Sequence, residues 1–194
     1  LAKYPRDRWI SSLTKFATGD FPRSHLSEEE QADVRRDALL ALGRIGHPQL
    51  VSLLAEALEA DAASVRETAF GLLIAQQDER SNQLAKEAAL ARIETEFPSH
   101  QILVLLERLP DVRAVPLLVK HLETSDQNRS NLIKTLARVG GAGIDRTLAQ
   151  TFSSLKAREQ AAVLNELTEL KSDQAVALAG EAIRSEEAIL FNAA

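Results

Sequence analysis

Five leucines recur along this chain at nearly constant intervals. Leu42, Leu73, Leu106, Leu136 and Leu167 are separated by 31, 33, 30 and 31 residues. No other feature constrains the fold as strongly. A period near thirty residues means one supersecondary unit, repeated, that buries its apolar face against copies of itself. Around the anchors the sequence reads LGRIGHPQL, LIAQQDERS, LERLPDVRA, LARVGGAGI and LTELKSDQA. In each, an apolar run ends, a polar or Gly/Pro break follows, and a new amphipathic run begins.

The periodicity within a unit is helical. Val34, Ala38, Leu39, Leu42 and Ile45 fall at steps of one, three or four and make one apolar stripe. Leu50, Leu53, Leu54 and Leu58 form the matching stripe after the break. Val65, Ala69, Leu72 and Leu73 repeat the first pattern, and Val115, Leu118 and Leu122 the second. Composition agrees. The apolar share of 45% comes mainly from Leu and Ala, with 8 Gly and 6 Pro, which favours helix over strand. Start and stop signals fit as well. Ser27 with Glu30 and Ser64 with Glu67 read as capping boxes, and Asp126 and Ser172 as plain caps. Gly46 and Gly140 stand where a helix ends on a left-handed residue. Pro110 and Lys171 take that place in two other units, and those turns are expected to close differently.

These segments resemble HEAT repeats of the short, phycobilisome-lyase type found widely in bacteria. The likeness is clearest in DVRRDALLALGRIGHPQLVSLLAEAL (33–58), followed by SVRETAFGLL (64–73) and LERLPDVRAVPLLVKHL (106–122). A Val-Arg pair early in the first helix recurs as Val34-Arg35 and Val65-Arg66, and is missing near Ser99 and His100. The resemblance implies an all-α, right-handed α-solenoid of about five helical hairpins. The expected units are 27–61, 62–97, 98–125, 126–154 and 155–187. Residues 1–26, with Tyr4, Trp9, Phe16 and Phe21, are expected to form a capping helix over about 6–17. Residues 188–194 read as the start of an incomplete sixth unit. With no methionine in the chain, the sequence reads as a piece of something longer.

Chemical signatures are sparse. GRIG and GGAGID look like fragments of phosphate- or nucleic-acid-binding loops, but such loops require neighbouring strands, and leucine-rich helices flank these. The simpler reading is a turn. Arg44, Arg108 and Arg138, each two residues past an anchor leucine, suit the negative end of a helix dipole. The four histidines, His25, His47, His100 and His121, show no i,i+4 pairing, and cysteine is absent, so no metal site is expected. Glu56 and Glu59 read as solvated. No serine sits in a nucleophile elbow. Neither a catalytic residue nor a cofactor is expected. The net charge of −5, with both signs interspersed, gives no footprint for nucleic acid. No apolar run is long enough to span a membrane.

A repeat array does offer a surface. The polar positions of the second helices are Gln49, Ser52, Glu56 and Glu59, then Arg113, Lys120 and Glu123, then Arg146 and Gln150, then Gln174, Glu181 and Arg184. This stripe changes from acidic to mixed and basic, and Arg113, Lys120 and Arg146 are the candidate partner-binding face. The expected role is a non-catalytic interaction or scaffolding module, docking a protein or an adjacent domain of the same chain. The resemblance also admits a structural segment of a larger multidomain bacterial protein, for example one with propeller and c-type haem domains. A HEAT-like enzyme, bilin lyase or DNA glycosylase, is the remaining alternative.

Overall fold

The computed structural model describes residues 6–21, 25–141 and 143–184, whose regular elements are all helices, with no strand among these residues. The elements are α1 (Arg6–Thr18), α2 (Glu28–Ile45), α3 (Leu50–Ala57), α4 (Ala63–Gln76), α5 (Glu79–Thr95) and α6 (His100–Arg108). They continue as α7 (Ala114–Thr124), α8 (Arg129–Val139), α9 (Ile144–Thr151), α10 (Ala157–Glu169) and α11 (Asp173–Arg184), with a short 3-10 turn at Phe152–Ser154. The chain divides into two compact units, Leu1–Ala88 and Ala89–Ala194. Tyr4, residues 188–194 and the side chains of Glu181 and Arg184 lie outside the described residues.

All five anchor leucines are fully buried, each at 0% exposure. In the first unit α2 packs on α1, α3 and α4. In the second, α8 packs on both α6 and α10, so first helices meet first helices directly. The second helices turn their leucines inward. Leu50, Leu53 and Leu54 are buried on α3, Ala114, Leu118 and Leu122 on α7, and Ile144 and Leu148 on α9. Burying each such leucine contributes about 1.5–3 kcal/mol, which outweighs any propensity term. Ile45, expected in the core, is 45% exposed because the apolar stripe leaves the packed face where α2 ends.

The caps divide into those the sequence announces and those it does not. Ser27 and Glu30 form the full capping box on α2, and Ser172 Oγ accepts the Gln174 N–H at the start of α11. Ser64 does not cap. The helix starts earlier, with Ala62 as N-cap, and Ser64 lies inside α4. Asp126 does not cap α8 either; its carboxylate pairs with Arg129 at 3.2 Å and Lys156 at 3.4 Å, and Asn128 is the N-cap. Asp78 supplies a cap the sequence did not suggest, accepting the Ser81 N–H at 2.9 Å and the Ser81 hydroxyl at 2.5 Å.

The turns behave similarly. Gly46 adopts the left-handed conformation at φ 69°. Gly140 does not: its φ is −50°, and Gly141 and Gly143 carry the positive angles instead. Its need for glycine is steric, since a Cβ there would stand 2.4 Å from Ile144 Cβ. Leu109, kept out of the helical region by the proline after it, ends α6 at φ −126° and ψ 74°, without a positive φ. Lys171, by contrast, takes φ 53° and closes its turn as a glycine would, against expectation.

The Val-Arg pair acquires a role. Seven residues before its anchor, Arg35 donates from Nε to the Ala17 carbonyl at the end of α1, at 2.9 Å. In the same register Arg66 donates to the carbonyls of Ala60 and Asp61 just past α3, and Arg129 to Ser125 just past α7. Gln160 Nε2 donates to Phe152 after α9. The last carbonyls of a helix have no internal partner and carry the negative end of its dipole, so a donor from the following helix both satisfies them and fixes the join.

Candidate interaction surface

Arg113 is the N-cap residue of α7, and its guanidinium grips the Asp111 carboxylate, with Nε–Oδ1 at 3.0 Å and Nη2–Oδ2 at 2.7 Å. The Arg113 side chain stays 53% exposed, that of Asp111 only 10%. Lys120 is exposed two turns further along α7. Arg146 is exposed in the first turn of α9, the second helix of the next pair. Neither Lys120 nor Arg146 has an ion pair among the described residues. The structure thus puts Arg113 and Lys120 on one helix and Arg146 on another, with α8 packed against both helices. No hydrogen bond links the three side chains. Gln49, Ser52, Glu56, Glu59, Glu123, Gln150 and Gln174 are likewise exposed.

A second charged group, on the first helices of the second unit, was not apparent from sequence. Glu107 on α6 accepts the Thr135 hydroxyl at 3.2 Å and pairs with Lys134 at 3.6 Å and Arg138 at 3.5 Å, all three on α8. Arg138 therefore serves a neighbouring helix as well as its own C-terminus. On α10, burial pushes the Glu166 carboxyl above the usual range, against the pull of Arg138 and Lys134. The only signal was register: Glu107 follows its anchor by one residue, and Lys134 and Arg138 bracket theirs by two.

The first unit holds an open depression of about 690 Å³ bordered by Glu28, Glu29, Asp33 and Asp61. Among the described residues no group of three or more His, Asp or Glu side chains has the geometry to hold a metal ion. No helix of the described residues is long and apolar enough to cross a membrane.

Paired helices in register, joined by short turns and sharing one buried leucine position, define a helical-repeat protein of the α-solenoid class. Residues 20–96 match the family model of HEAT repeats, so this part of the chain is similar to that family. No curated protein matches it significantly.

Proposed function

We propose that this chain is a non-catalytic scaffolding module that holds a protein partner on the outer faces of α7 and α9, through Arg113, Lys120 and Arg146. HEAT repeats are commonly protein-interaction scaffolds. The observation that carries the reading is the division of labour on the second helices. Leu118, Leu122, Ile144 and Leu148 are spent inward on the core, while Lys120 and Arg146 stand exposed with no ion pair among the described residues. Exposed cations of this kind contribute little to folding and are free to complement an acidic partner. Residues 1–26 act as a cap in this reading, supported by the packing of α1 on α2 and α3.

The test compares wild type with the triple variant Arg113→Ala, Lys120→Ala, Arg146→Ala. One identified captured protein, or a neighbouring domain of the parent chain, is titrated against both, with helical content followed by circular dichroism. Weakened capture at unchanged helicity is expected. Equal capture overturns the assignment of this face.

A further inference from the structure

Arg35, Arg129 and Gln160 each reach a carbonyl at the end of the helix just before their own, and Arg66 reaches two in the link that follows it. The end of α5 breaks this rule. Seven residues before Leu106 stands Ser99, whose hydroxyl caps α6 by accepting the Ile102 N–H and reaches nothing on α5. The vacant role is filled from elsewhere. His121, on α7, meets the Ile93 carbonyl in the last turn of α5 with Nε2 at 2.6 Å. A carbonyl can only accept, so Nε2 carries the proton. Phe97 packs edge-on against the imidazole, ring centroids 5.6 Å apart and planes at 76°, which holds the ring in position.

We propose that His121 is a long-range latch that fixes α7 to the end of α5, and that this join is the one in the second unit most ready to open. The difference from its counterparts is topological. Arg129 and Gln160 close loops of 4 and 8 residues, whereas His121 closes one of 28 that encloses all of α6. Ordering a longer loop costs more chain entropy, so for similar bonds the longer-range one opens more readily. Breaking the latch frees the last turn of α5, the link at residues 96–99 and the grip of α5 on α7 together. Since Lys120 precedes His121 on α7, the latch is also a positioning contact for the proposed binding face. Its existence does not depend on that reading.

Hydrogen–deuterium exchange of the full chain tests the latch without any partner. In wild type, residues 93–99 are expected to exchange faster than 122–126, the equivalent segment held by Arg129. His121→Phe keeps a ring against Phe97 and removes the donor. It should speed exchange at 93–99 about tenfold, the loss expected for one hydrogen bond, with 150–155 unchanged. His121→Gln, which restores an amide donor, should recover most of the protection. Equal protection of 93–99 and 122–126 in wild type overturns the proposal. So does unaltered exchange at 93–99 in His121→Phe, or an equal rise at every helix end. Because no partner enters the experiment, its failure leaves the binding face to be judged by the triple variant alone.

Discussion

Lys171 turns the chain through the same left-handed corner as Gly46. At Gly46, two backbone bonds close the corner: Gly46 N–H to Gly43 at 3.2 Å and His47 N–H to Leu42 at 3.1 Å. At Lys171 the same pair runs to Thr168 and Leu167, both at 3.0 Å. The acceptor Leu42 or Leu167 is in each case the anchor leucine of its unit. Left-handed backbone costs a side-chain-bearing residue roughly 1 kcal/mol that glycine avoids, part of which the greater freedom of unfolded glycine offsets. Lys171→Gly is therefore expected to stabilise the protein by about 0.5 kcal/mol. A urea titration that finds the midpoint unmoved or lowered contradicts this.

Gly140 makes the opposite case. Its backbone suits any residue, yet a Cβ would lie 2.4 Å from Ile144 Cβ. Gly140→Ala should destabilise by about 2 kcal/mol through overpacking. The double variant with Ile144→Ala should cost less than the two single changes added together, because the clash is shared. Strict additivity in denaturation would show that the strain lies elsewhere.

Arg129 combines two roles, a carbonyl donor at 2.7 Å and an ion pair with Glu159 at 3.4 Å in which both side chains are 12% exposed. Arg129→Met leaves Glu159 short of a partner and should cost about 3 kcal/mol. Arg36, paired with an exposed Asp33 at 2.7 Å, provides the contrast, and Arg36→Met should cost less than about 0.5 kcal/mol. Thermal unfolding of the two variants side by side checks the ranking. Similar losses would remove burial as the deciding factor.

The carboxylates separate by pH. Glu30 is held below the usual range by the backbone N–H and then the hydroxyl of Ser27, and Asp78 by the hydroxyl and then the backbone N–H of Ser81. Both stabilise the fold above the unfolded carboxylate value and lose that contribution as pH falls through their lowered folded values. Glu166 runs the other way. Its raised value means that the ionised carboxylate is less favourable in the folded state than in the unfolded chain, a penalty present above that value and gone once pH falls below the unfolded carboxylate value. Glu166→Gln should then stabilise at about pH 7, with the gain shrinking towards about pH 4. Chemical denaturation at both values decides it; a constant gain, or a loss at neutral pH, would count against burial as the cause.

Much of the fold was legible because a 31-residue period and a helical stripe are both statements about which side of a helix is apolar. Leu42 and its four counterparts carry that information in the sequence itself. The joins between helices were less legible, for a physical reason. Arg66 binds carbonyls, and every residue has a carbonyl, so its partner leaves no mark in the sequence. Arg129 and Gln160 share its register but not its neighbours, and only counting back from the anchors reveals them. Ser64 misled because the same Ser-x-x-Glu spacing also occurs inside a helix, here one that starts at Ala63 with Ala62 as its N-cap. On the candidate surface, exposure of Arg113, Lys120 and Arg146 follows from their register. The grip of Arg113 on Asp111 follows from a two-residue spacing whose meaning depends on the turn conformation.

The donors before each anchor have a consequence for how such a chain changes length. Where the end of a second helix is met by a group on the very next helix, the two sides of the join are standard parts. A whole pair bounded by such joins, as α8 and α9 are by Arg129 and Gln160, can be duplicated or excised in frame and still find its neighbour. The His121 join is different, since its two halves stand 28 residues apart and enclose α6. An excision that removes α6 and α7 takes the latch with it, and an insertion between α5 and α7 pulls its halves apart. The segment from α5 to α7 is thus tied as one block by a single bond between its two ends.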